Sequence, residues 1–475
     1  MLSNIYNKLL LAGWVENFIN SMIKQLDIFK DLTEFGNSNN STEKKQPLYL
    51  HIEGDIPSDL PEGSFISLDR EPPLKIHLLG FQPAKSIPEI SRWFLHKYAT
   101  KPFTVLEPFA GSGTSIIESI IYGASVYWLD YHPLSRLICK VKTTKILISE
   151  VIEEASRIIE EASHSSSVPA NVNFKNKDFW FQKPVQEGLE ILRQQIFISN
   201  EIIQPVLWLA FSLTVRKTSD MNDGMLLAAK RSNIKEIPKR SRSDVFQYFK
   251  LYIYKVIEAL KQWHSFSEKS ELIIKELPLQ DARILEGNWI CDAIITSPPY
   301  INAIDYVWAS KFELHWLGMV QNDEDRLNLY TKEIGTERIP RKECKELGRT
   351  GNPLLDQLIE DIYIGKNYKA SKGQNELRAR VVYQYFSDMK SHFRSSFLHL
   401  KSGGYYCFSI GDISKICGVD IPVAEILTQL ACEVGFRKHF YFNLLLKNRR
   451  LNLPRNVEWA GTIKHDTIVV LEKPA

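Results

Sequence analysis

The chain has 475 residues, of which 44% are hydrophobic and 11% aromatic, so it can bury a full α/β core and carry one or two further subdomains. Its formal net charge of +3 excludes a polycation, and any surface for nucleic acid must therefore be local. The six cysteines lack Cys-x-x-Cys spacing and no apolar stretch reaches the length of a membrane span, which argues against a zinc site, a disulfide framework and a membrane protein. We expect a cytoplasmic protein without a metal.

The N-terminal part predicts three segments. Apolar residues recur at near-helical spacing over residues 2–33, which predicts an amphipathic helix that docks on the rest of the protein. Residues 36–46 contain almost no apolar side chain and predict a polar linker. Short alternating runs between residues 47 and 79, such as Leu48–Ile52, predict strands.

A glycine turn follows the next predicted strand and reads Glu-Pro-Phe-Ala-Gly-Ser-Gly-Thr from Glu107 to Thr114. Gly111 and Gly113 let the backbone turn tightly and approach a ligand, and Asp130, which ends the second strand, can accept hydrogen bonds from ribose hydroxyls. Phosphate binding is disfavoured, because the turn lacks a third glycine and a Gly-Lys-Ser/Thr ending. We expect strands over 103–107 and 125–130 and helices over 113–122 and 133–141. Alone, such a turn is weak evidence for a nucleotide-like cofactor.

Helical patterning dominates residues 145–272, which predicts a helical insertion before the strands resume at 273–277. It contains a run of cations with a single acid, Glu236, among them: Lys230, Arg231, Lys235, Lys239, Arg240 and Arg242. Such a cluster can contact nucleic-acid phosphates. A solvated loop is the alternative, because charge runs are usually surface.

The most informative motif is Ser297-Pro298-Pro299-Tyr300, which ends an apolar strand predicted over residues 292–296. Prolines have fixed φ and no N–H, so the Pro298 carbonyl is held without a local donor and can accept a ligand's hydrogen bond. The Ser297 hydroxyl adds a second acceptor, and the Tyr300 ring offers a face on which a base can stack. Two acceptors beside a stacking ring suit the NH₂ group of a nucleobase. A Pro-Pro strand terminator with a core tyrosine is the alternative.

The last third of the chain holds a second basic segment and the end of the sheet. Residues 321–380 include the basic run Arg338, Arg341, Lys342, Lys345 and Arg349. We expect a helix over 381–400, a turn at Gly403-Gly404, a strand over 405–410, a helix over 421–434 and strands near Phe440 and Thr467. Right-handed crossovers would make the strands between residues 103 and 296 a parallel sheet, and ligands of such a sheet would lie at the carboxyl ends of the strands.

Together these motifs resemble those of the S-adenosylmethionine-dependent amino methyltransferases of DNA, which make N4-methylcytosine or N6-methyladenine. A further block, Gly80–Glu89, resembles the segment that encloses the methionine end of the cofactor in that family. The resemblance is close over 75–144 and 273–320, and residues 385–470 match the back half of the catalytic fold. Two features depart from the family pattern. Ser297 stands where adenine enzymes usually carry Asp, which favours cytosine, and the long segment between the second and third strands obscures the subclass.

The resemblance implies an α/β fold, a Rossmann-like S-adenosylmethionine-dependent methyltransferase sheet with a helical insertion and a target-recognition region. It divides the chain into an N-terminal helix and linker (1–46), a cofactor-binding part (47–144), the insertion (145–272), a catalytic-loop part (273–320), a target-recognition region (321–380) and the C-terminal part of the catalytic domain (381–475). The expected cofactor-binding residues are Lys85, Glu107, Phe109, Gly111, Gly113, Thr114, Asp130 and Asp281.

Three of these carry a specific expectation. Asp281 would receive the adenine amino group, while Lys85 and Glu107 would frame the methionine ammonium and carboxylate. The alternatives are a helix cap or turn for Asp281 and a surface ion pair for Lys85 and Glu107.

The implied reaction is methyl transfer to the exocyclic amino group of a flipped base in double-stranded DNA. Hydrogen bonds to Ser297 and the Pro298 carbonyl would localise the nitrogen lone pair, and the missing Pro-Cys pair argues against C5 methylation of cytosine. Cytosine N4 is the expected target; adenine N6, guanine N2 of RNA and a DNA-binding protein without catalysis are the alternatives. The chain shows no nuclease motif, so a restriction endonuclease partner would be a separate protein. The expected DNA contacts are Lys230, Arg231, Lys239, Arg240, Arg242, Arg338, Arg341 and Lys342.

Overall fold

The computed structural model describes residues 47–165, 168, 172–222, 225–229, 237–267, 272–301, 304–371, 373–446 and 463–475. The predicted N-terminal helix and linker therefore lie outside the described residues. So do three cations of the first basic run, Lys230, Arg231 and Lys235.

The described strands form one nine-stranded sheet and a separate hairpin, in the order β1-β2-β10-β11-β7-β6-β3-β4-β5 for the sheet and β8-β9 for the hairpin. Their bounds are β1 Tyr49–Glu53, β2 Phe65–Asp69, β3 Thr104–Glu107, β4 Ser125–Trp128, β5 Ile274–Glu276, β6 Cys291–Thr296, β7 Leu400–Gly411, β8 Ile413–Ile416, β9 Val419–Pro422, β10 Arg437–Leu445 and β11 His465–Glu472. Neighbouring strands of the sheet are parallel except at β11, which runs antiparallel to β10 and β7. The predicted α/β class with a large, mostly parallel sheet is confirmed. The strands between residues 103 and 296, which were predicted to be parallel, are parallel in the structure.

The helices of the described residues are α1 Lys75–Leu78, α2 Pro88–Tyr98, α3 Thr114–Tyr122, α4 Pro133–Thr143, α5 Ile148–His164, α6 Lys177–Trp180, α7 Lys183–Phe197, α8 Gln204–Thr218, α9 Arg242–Ser267, α10 Tyr306–Ala309, α11 Lys311–Trp316, α12 Asp323–Tyr330, α13 Pro353–Ile364, α14 Gln374–His399 and α15 Val423–Val434, with a 3₁₀ turn at Glu343–Lys345. No described helix is long and apolar enough to cross a membrane. Helices α5 to α9 occupy the segment predicted to be a helical insertion, and α8 packs on α4 and α11.

Two boundaries differ from expectation. Helix α14 begins at Gln374, inside the segment assigned to target recognition. The Gly403-Gly404 pair does not end an element but lies within β7, where Gly403 adopts a left-handed φ of 72° and its N–H donates to the Lys473 carbonyl.

Both faces of the sheet are buried, which explains the continuous apolar run of β6. In that strand Ala293 and Ile295 contribute to the apolar cluster around helix α2, whereas Ile294 contributes to the cluster around α14 and α15. Strand β3 behaves in the same way, with Val105 on one face and Leu106 on the other. This alternation is that of strands covered by helices on both sides.

The chain order places the candidate site at the centre of the sheet. From β3 the chain moves outward through β4 to β5 and then returns to β6 on the other side of β3. The strand order therefore reverses between β3 and β6, and ligands of open α/β sheets bind at such a switch point. The glycine turn follows β3, Asp130 follows β4 and Ser297 follows β6, so all three meet at this edge.

Candidate functional site

A cavity of about 670 Å³ lies at the carboxyl ends of β3, β4 and β6, within the size range of small-molecule sites. Its walls include the predicted enclosing segment from Gln82 to Ile87, the glycine turn from Pro108 to Ser112, Asp130, and the motif Ser297 to Tyr300. One cavity thus joins three blocks, the last of which follows the glycine turn by well over a hundred residues in the sequence.

The glycine turn owes its shape to two left-handed residues. Gly111 has φ 51° and Gly113, which precedes α3, has φ 77°. A Cβ at Gly113 would also lie 3.2 Å from the Cys139 sulfur, so a larger residue would be strained by its positive φ and would press on that sulfur. Hydrogen bonds fix the turn from outside: the Gly111 N–H donates to Asp130 Oδ2 at 2.7 Å, and Lys142 Nζ donates to the Ser112 carbonyl at 2.7 Å.

Asp130 lies on the cavity wall with only a small exposed fraction. One carboxylate oxygen accepts from Gly111, and the other accepts from the His132 N–H at 2.8 Å. Burial raises the pKa of Asp130 to about 6, against the effect of these two bonds. Each oxygen can accept one further hydrogen bond, so the residue can serve ribose hydroxyls as well as hold the turn.

Lys85 supplies a cation at the same cavity. Its ammonium donates to the carbonyls of His77 and Gly80, each at 3.1 Å, and burial lowers its pKa to about 8. Three donors are available on an ammonium, so one remains for a carboxylate in the cavity. Phe109 and Gly111 line the same wall.

Four expected cofactor residues, Glu107, Gly113, Thr114 and Asp281, do not line the cavity. The buried Glu107 carboxylate accepts from the Thr296 hydroxyl at 2.5 Å and from the Phe109 N–H at 3.0 Å, and burial raises its pKa to about 7. This carboxyl therefore ties β3 to β6, and its expected contact with the methionine ammonium stays a prediction. Gly113 and Thr114 act by shaping the turn and the start of α3.

Asp281 is engaged by a neighbour. Arg283 donates to both of its carboxylate oxygens, from Nη2 at 2.7 Å and from Nε at 2.9 Å, while Ala282 lines the cavity. The expected bond from Asp281 to the adenine amino group is therefore in competition with this ion pair and stays a prediction. The motif Asp-x-Arg could have signalled the pair.

Ser297, Pro298, Pro299 and Tyr300 all line the cavity. The Ser297 hydroxyl donates to the Ser409 carbonyl at 3.2 Å, and the Pro299 carbonyl accepts from the Tyr385 hydroxyl at 3.0 Å. Among the hydrogen bonds of the described residues, none ends on the Pro298 carbonyl. Tyr300 is half-buried, and its ring lies beside Gly411.

The residues expected to contact DNA fall into different environments. Lys239, Arg341 and Lys342 are exposed, and Lys230 and Arg231 lie outside the described residues. Arg242 is partly exposed and donates to Glu187 at 2.8 Å, while the half-exposed Arg338 lies 3.3 Å from Asp305.

Arg240 requires a correction. It is buried, and its guanidinium lies 3.3 Å from the Ser219 carbonyl and 3.5 Å from Asp220 Oδ1. A buried cation with these partners holds the helical layer together and is not available for a phosphate, so Arg240 leaves the set of expected DNA contacts.

Sequence patterns missed several cavity or turn residues. Lys142 is buried behind the glycine turn, and burial lowers its pKa to about 7. Glu333 lines the cavity wall, where it accepts from the Tyr131 hydroxyl at 2.8 Å and burial raises its pKa to about 8. His132 lines the wall next to Asp130. These three residues lie outside the recognised motifs. Only His132, two residues after Asp130, had a position in the sequence that could have indicated a place in the cavity wall.

These features fit S-adenosylmethionine. The cavity has the size of a small-molecule site, Lys85 can bind a carboxylate at one side, and Asp130 can accept from ribose hydroxyls at the end of β4. Among the described residues, no group of three or more His, Cys, Asp or Glu is arranged to hold a metal ion.

No protein-family model matches the chain. It is similar to the type II methyltransferase M.MvaI of Kocuria varians, with 24% identity over 419 residues that cover 80% of this chain and 87% of the relative. The type II methyltransferase M.AvaI of Nostoc sp. is 26% identical over 404 residues, 76% of this chain and 81% of the relative. M.BsoBI of Geobacillus stearothermophilus, also a type II methyltransferase, is 22% identical over 419 residues, which cover 79% of this chain and 81% of the relative.

These matches extend over most of both chains. In this chain the structure brings the glycine turn and the Ser-Pro-Pro-Tyr motif together in one cavity. The motifs, their geometry and the similarity to type II methyltransferases together support the resemblance of this chain to the S-adenosylmethionine-dependent DNA amino methyltransferases.

Proposed function

We propose that this protein methylates the exocyclic amino group of a flipped base in double-stranded DNA at a specific site, with cytosine N4 as the acceptor. The observation that carries the proposal is the hydrogen bond from Ser297 to the Ser409 carbonyl. Because the hydroxyl proton points to that carbonyl, the oxygen lone pairs are left to accept. The Pro298 carbonyl, which receives no donor from the described residues, lies next to it in the same cavity wall.

Two adjacent acceptors suit an NH₂ group, which presents two donors. The lone pair of such a nitrogen is delocalised into the base, so it is a poor nucleophile. When both N–H groups are held by Ser297 and the Pro298 carbonyl, the lone pair is directed away from the ring. Positioning of this kind contributes up to about 7–11 kcal/mol in well-oriented intramolecular reactions.

The remaining groups hold the reactants. The family's cofactor supplies an electrophilic sulfonium methyl group. Lys85 would bind its carboxylate, Asp130 its ribose hydroxyls, and the Tyr300 ring would stack on the flipped base. Since the amino group is paired inside a duplex, the base has to leave the stack before it reaches Ser297.

The preference for cytosine rests on Ser297, because the related adenine enzymes usually have Asp at this position. The relatives are type II methyltransferases, which supports action on DNA at a specific site and a separate restriction endonuclease as partner. For the DNA surface we propose exposed or partly exposed cations of both basic segments, Lys239 and Arg242 in the first and Arg338, Arg341 and Lys342 in the second. We place the protein in the cytoplasm.

Nucleoside mass spectrometry tests the proposal. Double-stranded DNA incubated with the purified protein and S-adenosylmethionine should contain N4-methylcytosine. If N6-methyladenine were the only product, the acceptor base would be adenine and the type of reaction would stand. If RNA were methylated and DNA stayed unmodified, the substrate would be RNA. Binding of DNA without binding of S-adenosylmethionine in a calorimetric titration would support the alternative of a DNA-binding protein without catalysis.

A further inference from the structure

A second, small cavity adjoins the main cavity at the Ser-Pro-Pro-Tyr motif. Its volume is about 40 Å³, which gives room for a water molecule. The residues that line both cavities are Lys85, Ser86, Ile87, Ser297, Tyr300 and Asp466. The small cavity therefore begins at the two side chains that are proposed to hold the target base.

Asp466 of β11 is the acidic residue of this group, and the sheet fixes the direction of its side chain. It lies opposite Gly411 of β7 in the antiparallel ladder, and directly opposed residues project to the same face of a sheet. A Cβ at Gly411 would lie 3.1 Å from Tyr300 Cε2, so the Tyr300 ring lies against that face. Only 7% of Asp466 is exposed. Its carboxylate is therefore buried on the Tyr300 side of β11, where the two cavities meet.

No other carboxylate of the described residues lines both cavities. Asp130 and Glu333 line the main cavity alone, where Asp130 accepts from backbone N–H groups and Glu333 accepts from the Tyr131 hydroxyl. Glu107 lines neither cavity. The other titratable groups that the described parts of the two cavities share are Lys85 and Tyr300, so Asp466 is the carboxylate placed with Ser297.

The proposed reaction needs an acceptor for a proton. As the amino nitrogen bonds to the methyl carbon, the carbon–sulfur bond breaks and its electron pair stays on sulfur, which becomes a neutral thioether. The nitrogen is then positively charged until one N–H proton leaves and the bonding pair returns to nitrogen. The Ser297 hydroxyl and the Pro298 carbonyl can hold the N–H groups, but neither is basic enough to keep a proton. A carboxylate is.

We propose that Asp466 is the general base of the reaction and accepts this proton, either directly or across one water molecule, for which the small cavity has room. A carboxylate has about four lone-pair sites, so Asp466 can keep a protein partner and still accept. The inference rests on the proposed function, methyl transfer to a base amino group held at Ser297. It adds to that site a catalytic residue from the last strand of the sheet.

Single-turnover methylation of a DNA duplex by Asp466→Asn tests the inference, and calorimetry with S-adenosylhomocysteine reports on the cofactor site. Asparagine keeps the shape of the side chain but cannot take up the proton. We expect the rate to fall by about 10²- to 10⁴-fold, the range of one general base, and the cofactor affinity to stay within about twofold. Asp466→Glu keeps a carboxylate and should be faster than Asp466→Asn.

Asp412→Asn is the matched control. Asp412 follows β7 directly and lies 3.1 Å from His465, the neighbour of Asp466, but it lines neither cavity. Its variant should retain the wild-type rate. Formate provides a rescue test, because Asp466→Ala leaves space for a small carboxylate. Formate should raise the rate of Asp466→Ala by about 10-fold or more and leave that of Ser297→Ala unchanged.

A wild-type rate in Asp466→Asn would overturn the inference. So would a loss of S-adenosylhomocysteine affinity as large as the loss of rate, because that result would assign the carboxylate to the ammonium group of the cofactor. A loss of rate that neither Asp466→Glu nor formate reverses would make Asp466 a structural residue and would also overturn it. If the wild-type protein transferred no methyl group to DNA or RNA, the proposed function itself would fail, whichever results the variants gave.

Discussion

Replacing Ser297 with alanine removes one of the two acceptors proposed for the amino group and is the most direct test of the chemistry. In the structure the hydroxyl makes a single described bond, to the Ser409 carbonyl at 3.2 Å, in a partly buried position. Losing that bond should cost about 1 kcal/mol of stability at most. Its effect on catalysis should be larger, because the acceptor is fixed in place before the base arrives.

We expect Ser297→Ala to lower kcat by about 10²- to 10³-fold, or about 2.7–4 kcal/mol, the scale found when one preorganised hydrogen-bonding group is removed from an active site. Affinity for S-adenosylmethionine should stay within about twofold, since Ser297 is assigned to the base and not to the cofactor. Single-turnover methylation of a DNA duplex gives the rate, and calorimetry gives the cofactor affinity.

Ser391→Ala is the matched control. Ser391 is also partly buried and also donates to a backbone carbonyl, that of Ser387 at 3.1 Å, but it lies within α14 and does not line the cavity. It should lose similar stability and retain its rate. The reasoning is refuted if Ser297→Ala methylates DNA at the wild-type rate, or if its loss of rate equals that of Ser391→Ala.

Three further predictions concern the cofactor and DNA surfaces. Asp130→Ala should weaken S-adenosylmethionine binding by about 1.5–3 kcal/mol in a calorimetric titration; unchanged affinity would remove Asp130 from the ribose site. Wild-type affinity for the cofactor should be highest between about pH 6 and pH 8, because Asp130 gains a proton as the pH falls through its pKa of about 6 and Lys85 loses one as the pH rises through its pKa of about 8. The upper limb should be absent in Lys85→Met, and a flat profile in the wild type would contradict both assignments. Replacing Lys239 and Arg242 with alanine should flatten the log–log salt dependence of DNA binding by about 0.9 per lost contact. Arg240→Ala should leave that slope unchanged but lower the thermal midpoint of unfolding. Asp220 would stay buried with only Gln182 as a side-chain partner, so the free energy of unfolding should fall by an amount toward the lower end of about 3–5 kcal/mol.

The parts of the site that could be predicted are those that local sequence defines. A strand followed by a glycine turn, or by two prolines, marks its own carboxyl end, and parallel strands bring such ends to one edge. Gly111, Asp130 and Ser297 therefore meet where the sequence indicated. Lys85 also reaches the cavity, although its two carbonyl partners could not be read from the pattern.

The errors share a different cause, which is that the deciding partner is distant or tertiary. Arg240 belongs to a run of cations that resembles surface, yet Asp220 and the Ser219 carbonyl bury it. The hydrogen bond that Thr296 of the neighbouring strand donates to the Glu107 carboxylate was likewise not visible in the local sequence. Nothing in the chain order showed that β11 would enter the sheet antiparallel between β10 and β7.

The hydrogen bonds of the glycine turn explain why this site suits a nucleoside with a sulfonium rather than a nucleotide. In dinucleotide-binding folds the amides of the turn face a pyrophosphate. Here the Gly111 N–H is already bonded to the Asp130 carboxylate, and the Gly113 N–H donates to the Ala110 carbonyl at 2.6 Å. A phosphate at this position would find neither glycine amide available and would lie against a carboxylate. A neutral ribose meets no such repulsion, and a positively charged sulfonium is favoured by the same negative charge.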